Sequence, residues 1–195
     1  FVHKDTIKNS IREDASEEFD ILFPERFIKN TDYYNSLMMM YRCAIREVST
    51  KLEVLDDEFS VKYKRNPISS IKSRIKTPLS IYNKLQRLGY EFTEQNIREQ
   101  LNDVAGIRVI CSFVDDIYAV ARLLADQDDI TIIRIKDYIQ NPKPNGYRSY
   151  HMIIEIPVFF AEGKTPIRAE IQIRTIGMDF WASLEHQLRY KKDLG

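Results

Sequence analysis

Residues 168–174 read Arg-Ala-Glu-Ile-Gln-Ile-Arg, a strict alternation of polar and apolar side chains. A period of two is that of a β-strand, so Arg168, Glu170, Gln172 and Arg174 share one face and Ala169, Ile171 and Ile173 the other. The apolar face belongs against a core. The polar face carries two guanidiniums, a carboxylate and an amide, which packing inside a sheet does not require; Glu170 and Gln172 read as the floor of a site. An edge strand facing water would show the same pattern, and that alternative stays open at this point. Upstream, 130–138 is a β-branched strand, 147–158 is another, and 167–174 follows. Strand follows strand from 130 to 174, so the sheet is expected to be mixed or largely antiparallel, not doubly wound.

The rest of the chain supplies helices. Leu37, Met40, Tyr41, Ala44, Ile45, Val48 and Leu52 recur at helical spacing and predict a long helix from Asp32 to Leu55. The acid-rich residues 12–20 are expected to form a first helical turn or an arm. Lys62 to Arg74 reads as extended, with a turn at Pro67. A helix is expected from Pro78, capped by Thr77, to Gly89, with Ile81, Leu85 and Leu88 as its apolar stripe. A short helix capped by Thr93 spans 94–102, a strand 107–113, a helix 115–125 and a last helix 177–191. The fold class is α+β, a mixed α/β arrangement with helices flanking the sheet. An N-terminal helical segment, residues 1–60, is expected to precede one structural unit, residues 61–195.

Bulk properties exclude some classes. The 195 residues can bury a sizeable core. The 29 basic and 29 acidic residues cancel, so no broad basic footprint for nucleic acid is expected. No apolar run is long enough for a membrane span. Cys43 and Cys111 lie in apolar stretches and read as buried thiols, not as a disulfide or a ligand pair, which implies a cytoplasmic setting. The first residues, Phe1-Val2-His3-Lys4, lack an initiator Met and an apolar signal region, so a slightly longer parent chain is expected. His3, His151 and His186 are not spaced as a metal cluster, and the absence of any His-Asp pair argues against a metal hydrolase of that type. Gly163-Lys164-Thr165 lacks the upstream glycine of a phosphate-binding P-loop.

Four stretches concentrate the chemistry: Arg74 to Lys84, Asp103 to Arg108, Asn141 to His151 and Glu170 to Thr175. Around Pro78, Arg74 and Lys76 sit beside a helix N-terminus, and Ser80, Lys84 and Arg87 form a stripe on that helix. Cations gathered at such a terminus point to a polyphosphate, although a solvated basic face looks alike. Asp103 stands at the mouth of a strand, where a carboxylate suits Mg²⁺; a helix-end Asp paired to an Arg is the plainer reading. Arg108, one residue into that strand, can stack on a base or clamp a phosphate. Tyr147, Ser149 and His151 alternate along the expected strand, and a Tyr beside Gly146 can offer its ring to a purine. Lys143 in the loop and Lys136 before it can reach phosphates. Together the four stretches hold what phosphoryl transfer requires, since its catalysis is mostly positioning and charge neutralisation.

Taken in combination, R-x-K-x-x-x-S-x-x-x-K, D-V-A-G-I-R, N-G-Y-R-S-Y-H, E-I-Q-I-R-T and M-D-F-W-A-S-L-E-H resemble the RelA/SpoT-type guanosine tetra- and pentaphosphate synthetases, in particular the small alarmone synthetases. The resemblance runs from about Lys62 to Lys191. It implies a nucleotidyltransferase-like fold and transfer of the β,γ-pyrophosphate of ATP to the 3′-hydroxyl of GTP or GDP with Mg²⁺. It implies that Arg74 and Arg108 sandwich adenine, that Lys76, Ser80 and Lys84 hold ATP phosphates, and that Asp103 is a Mg²⁺ ligand. It further implies that Tyr147 stacks on guanine with His151 and Gln172 on the acceptor side. Lys136 and Lys143 would be phosphate contacts, and Glu170 would act with the metal and as general base. Synthesis without hydrolysis and a homotetramer built on terminal helices are also implied. The segment Ile68 to Ser73 lacks the aromatic residue of the family's product-activated cleft, so weak or no activation by product is expected. A tRNA 3′-end pyrophosphokinase and a catalytically inactive nucleotide sensor are the alternatives. The neutral net charge disfavours the first, and the presence of Asp103 and Glu170 disfavours the second.

Overall fold

The structure is a computed structural model and describes residues 31–193, with side chains from 32 to 188. The expected arm at 12–20 lies outside the described residues. The chain divides at Met38/Met39, and every described strand lies in the second unit, Met39–Gly195. The division expected between residues 60 and 61 falls inside that helix, α1 (Thr31–Tyr63).

Helix α1 runs eight residues past the expected end at Leu55. Its last turns are mostly solvent-facing, so the apolar stripe through Tyr41, Ala44, Val48 and Leu52 fades there while the helix continues. The Glu58–Lys62 ion pair and the Phe59–Tyr63 ring contact support those turns. Lys64, in the left-handed region at φ 52°, ends them. Leu37 and Tyr41 are buried, and Met40 is half-buried.

The sheet has five strands: β1 (Ile68–Ile75), β2 (Ala105–Cys111), β3 (Thr131–Asp137), β4 (Tyr150–Phe160) and β5 (Gly163–Thr175). Their order is β1-β2-β5-β4-β3, and every neighbouring pair is antiparallel except β2 with β5. The sheet is therefore mixed and largely antiparallel, as the run of strands requires. β5 lies at its centre, which removes the edge-strand reading of the alternating segment. It begins four residues before the expected Ile167, because β4 and β5 extend into a hairpin that pairs Phe160 with Gly163.

Helix α2 (Pro78–Leu88) starts on Pro78, with Thr77 Oγ1 accepting from the Ser80 N–H, and ends at Gly89 in the left-handed conformation (φ 79°). Leu88, expected on its apolar stripe, is exposed; Ile81 and Leu85 are buried. Helix α3 (Glu94–Gln100) is capped by the Thr93 hydroxyl. Helix α4 (Val114–Ala125) buries Ile117, Val120, Ala121 and Leu124. Its Tyr118 packs edge-on against Tyr150, which is paired with Ile173, so α4 covers the apolar face of the sheet. Helix α5 (Ile176–Asp193) continues directly from β5. Cys111 is fully buried, and burial pushes its thiol up to about 12; Cys43, expected to be buried, is only half-buried beside Met39. Among the described residues no helix is long and apolar enough to cross a membrane.

Candidate active site

Strand pairing assembles the polar face. Residues opposite one another in a ladder share a face, and the register sets Lys72, Arg108, Gln172, His151 and Lys136 in one row across all five strands. The next row holds Arg74, Gly106 and Glu170. A cleft opens there, lined by Lys72, Ser73, Arg74, Asp103, Gly106, Ile107, Arg108, Glu170 and Gln172. Arg74 lies against Gly106 across the strand pair, where even a Cβ would make only an ordinary contact, 3.5 Å from the Arg74 Cγ.

Asp103 sits just before β2, between two lysines. Lys76 Nζ donates to Oδ2 at 2.8 Å. Lys84 Nζ lies 2.7 Å from Oδ1, an ion-pair contact off the angle of a hydrogen bond, so the buried Oδ1 has no hydrogen-bond partner. Burial alone would raise the Asp103 carboxyl, but the two ammonium groups outweigh it and hold the group below the usual carboxylate range. Lys84 reaches back from the second turn of α2, and the chain from α3 into β2 presents the carboxylate to it. Arg168 holds that approach by donating to the Glu99 carbonyl (2.8 Å) and Asn102 Oδ1 (3.3 Å). Although it shares a face with Glu170, Arg168 thus braces a loop and does not line the cleft.

Glu170 meets His151, whose Nδ1 lies 3.2 Å from Oε1, and Gln172, whose Nε2 donates to Oε2 at 3.2 Å. Burial again pushes the carboxyl up. The His151 contact opposes it most strongly, Asp103 across the cleft adds to the rise, and the net value is lowered. Both carboxylates are thus ionised at neutral pH in one cleft. Among the described residues no group of three or more potential metal-binding side chains forms. Mg²⁺ commonly takes only one or two protein carboxylates, with phosphate and water oxygens completing its shell. The pair Asp103 and Glu170, one of them with an unsatisfied buried oxygen, fits that requirement.

Tyr147 and Ser149 are not on β4, which begins at Tyr150 rather than at the expected Tyr147. Gly146, at φ 84°, turns the chain, and a Cβ there would come within 3.3 Å of Trp181 Cζ2. Lys143 N–H then donates to the Tyr147 carbonyl, and Tyr138 N–H to the Ser149 carbonyl, which takes 147–149 out of the ladder with β5. Tyr147 still meets His151, through its hydroxyl at 2.8 Å from Nε2 and not through strand alternation. Tyr138 packs edge-on against both rings, and Lys143 Nζ lies 4.7 Å from the Tyr138 centroid and 5.0 Å from that of Tyr147. Asn145 Nδ2 donates to Glu185 Oε1 at 2.7 Å, so the loop rests on α5.

Of the twelve residues expected at the site, the structure brings Arg74, Asp103, Arg108, Glu170 and Gln172 into the cleft lining, with Lys76 and Lys84 on Asp103, His151 on Glu170 and Tyr147 on His151. Ser80 is exposed at the first turn of α2 and accepts from the Thr77 hydroxyl. Lys136 stands exposed on edge strand β3, in the row of His151. Lys143 covers the tyrosines. Residues beyond that set also take part. Lys72 and Ser73 line the cleft. Asp179 Oδ1 lies 3.2 Å from Nη1 of both Arg108 and Arg174. Burial, then Arg174, pushes the Arg108 guanidinium below its ordinary value, Asp179 acts against them, and its buried Nε has no partner. The β1 register would have revealed Lys72; nothing local in the sequence marks Asp179, which reaches the site only because α5 folds back over β2 and β5.

Residues 73–194 match the model of the region found in RelA and SpoT proteins. The chain belongs to the RelA/SpoT family. Within it, GTP pyrophosphokinase YwaC of Bacillus subtilis (strain 168) is 49% identical over 160 residues, covering 82% of this chain and 76% of that protein. The fold superimposes on the crystal structure of small alarmone synthetase 2 from Bacillus subtilis with a TM-score of 0.73 at 47% identity, over 84% of this chain and 83% of the other. It also superimposes on small alarmone synthetase 1 from Bacillus subtilis bound to its product pppGpp, with a TM-score of 0.74 at 35% identity, over 82% and 80% of the two chains. The RelA/SpoT region of this chain contains Asp103, Glu170 and all of β2 to β5.

Proposed function

We propose that this chain is an ATP:GTP/GDP 3′-pyrophosphotransferase that makes pppGpp and ppGpp in the cytoplasm. The observation that carries the reading is a pair of ionised carboxylates, Asp103 and Glu170, in one cleft ringed by cations on the polar face of β2 and β5. A fixed array of that kind neutralises a triphosphate and still leaves a base.

In this mechanism Arg74 and Arg108 flank the adenine of ATP, with guanidinium planes suited to stacking. Lys76, Ser80 and Lys84 bind its phosphates at the N-terminal end of α2, where free N–H groups favour anions. Tyr147 stacks on the acceptor guanine, His151 and Gln172 orient the acceptor, and Lys136 and Lys143 contact its phosphates. The acceptor 3′-oxygen attacks the β-phosphorus. The bond from that phosphorus to the α,β-bridging oxygen breaks and AMP leaves. The hydroxyl proton passes to the Glu170 carboxylate, which is ionised at neutral pH. Asp103 and Glu170 would hold Mg²⁺, which supplies charge stabilisation to the phosphates during transfer. Labelled ATP offered with GDP, GTP, GMP or tRNA in parallel tests the reading: label reaches GDP and GTP. Label on tRNA alone would replace it with the tRNA pyrophosphokinase, and no transfer to any acceptor would leave a sensor.

Tyr147→Ala should raise KM for the guanine nucleotide about ten- to a hundredfold, since base stacking on an aromatic ring is worth ~1–3 kcal/mol. KM for ATP should move far less. Equal changes in both would show that the ring only supports the fold.

Assembly rests on α5. Ile176, Phe180, Leu184 and Leu188 recur every four residues and all are exposed, as is Trp181 in part. Such a stripe is one face of a helix left open to a partner. A second copy of the chain is the partner in this reading, with a homotetramer as the closed form. Light scattering at micromolar concentration should give a multiple of the 23.0 kDa chain, and Leu184→Glu should lower it. A monomer before any substitution would overturn the assignment.

A further inference from the structure

Arg174 is the most deeply buried cation of the site, 5% exposed, and the proposed chemistry gives it no part. Its Nε donates to Ser149 Oγ at 3.2 Å and its Nη1 to Asp179 Oδ1 at 3.2 Å. Its Nη2 donates both to the Tyr147 hydroxyl at 2.5 Å and to Gln172 Oε1 at 2.9 Å. The guanidinium carbon lies 5.1 Å from the Tyr147 ring centroid. These acceptors come from three separate places: the segment between the loop and β4, strand β5, and the first turn of α5. A guanidinium suits the task because its donors form a rigid planar fork, and burying a charge is tolerated only when it is paired and hydrogen-bonded.

Tyr147 needs such a hold. Its backbone stands outside the β4–β5 ladder, which begins at Tyr150, so sheet pairing does not fix the ring. The hydroxyl does. Its oxygen accepts from Arg174 and lies 2.8 Å from His151 Nε2, to which it donates its proton when that nitrogen is unprotonated. An Nε2 that accepts puts the ring proton of a neutral imidazole on Nδ1, and Nδ1 faces Glu170 Oε1 at 3.2 Å. In that neutral tautomer the donors run in one direction, Arg174 to Tyr147 to His151 to Glu170.

We infer that Arg174 is a positioning residue: by holding the Tyr147 hydroxyl and the Gln172 amide together it fixes the guanine-stacking ring and, through His151, the hydrogen-bond chain that ends on Glu170. This rests on the reading of Tyr147 as the guanine platform. Without the hydroxyl the ring keeps its stacking surface and loses its anchor.

The test is equilibrium binding of GDP by calorimetry to wild type, Tyr147→Phe, Arg174→Lys and the double variant, with a non-hydrolysable ATP analogue as control. Each single substitution should weaken GDP about three- to tenfold, the net scale of one ordinary hydrogen bond, since the ring keeps its stacking surface. The double variant should be no worse than the weaker-binding single one, because both remove the same contact. Binding of the ATP analogue to Tyr147→Phe should stay within about twofold; Arg174→Lys also disturbs Asp179, which Arg174 shares with Arg108, so it does not serve as that control. Normal GDP binding by Tyr147→Phe, or a double effect equal to the product of the singles, overturns the inference and leaves the proposed activity standing. A wild type that binds no guanine nucleotide overturns both. If Arg174→Lys does not fold, Tyr147→Phe decides alone.

Discussion

Glu170→Gln is expected to remove transfer activity by ~10²–10⁴-fold, the range lost with a general base, while ATP binding stays near normal. The substitution keeps the size of the side chain and its place on β5 opposite Gly106 and Ile153. It keeps one oxygen, enough to accept from His151 or from Gln172 but not from both, because the amide NH2 takes the place of the other. It removes the negative charge and the ability to accept the 3′-hydroxyl proton. The half of the cleft proposed to take ATP is held by other carboxylates, Lys76 and Lys84 by Asp103 and Arg108 by Asp179, so loss of the Glu170 charge should leave that half in place. Single-turnover transfer from labelled ATP to GDP, paired with binding of an ATP analogue, measures both halves of the expectation. Turnover within about threefold of wild type would remove Glu170 from the chemistry and move the base elsewhere in the cleft. Loss of ATP binding in parallel with turnover would mean that the carboxylate supports the cleft instead of the reaction.

The features legible in the sequence are local ones. Alternation at 168–174 needs only a strand's period of two, and it assigns the correct face to Glu170, Gln172 and Arg174 without any knowledge of the neighbours. The caps at Thr77 and Thr93 and the stop at Gly89 depend on one or two side chains each. The features hidden from the sequence depend on pairing. His151 meets Glu170 because of the β4–β5 register, with His151 opposite Gln172, and no spacing in the sequence encodes that offset. Tyr147 meets His151 on a different backbone from the one expected: the alternation with His151 points to a strand, whereas Gly146 and the Lys143–Tyr147 bond make a turn, and the two rings meet through the hydroxyl. The end of α1 escapes sequence reading because a helix turned to water carries no apolar period. Leu88 satisfies the helical spacing but lies on the last turn before Gly89, beyond the covered part of α2. Asp179 and Arg174 form their clamp only after α5 has folded back.

Asp103→Asn should lower transfer by ~10²–10³-fold, and raising Mg²⁺ should recover part of it. The size comes from charge: stabilising a transferring phosphoryl group with a metal is worth several kcal/mol, and each ~1.4 kcal/mol is a factor of ten. Two roles compete for this carboxylate. In the structure it is the counter-ion of Lys76 and Lys84, 18% exposed, with the lysines at 2.8 and 2.7 Å. Asparagine removes that charge and leaves two ammonium groups facing a neutral amide, which alone would loosen the start of β2. A triphosphate brings negative charge of its own to the same lysines, so the counter-ion role matters most before ATP binds and least afterwards. The role of metal ligand matters most with ATP in place. The two therefore separate by experiment. Loss of a counter-ion lowers the thermal midpoint of the free protein, is relieved by ATP, and is indifferent to Mg²⁺. Loss of a ligand leaves ATP binding through the lysines intact, shifts the Mg²⁺ concentration for half-maximal rate upward, and lets high Mg²⁺ restore turnover. Activity unchanged by both the substitution and EDTA would remove the metal from the site altogether. The Oδ1 contact with Lys84 at 2.7 Å favours the second outcome: once a triphosphate takes up that ammonium, the oxygen is free to face a divalent cation.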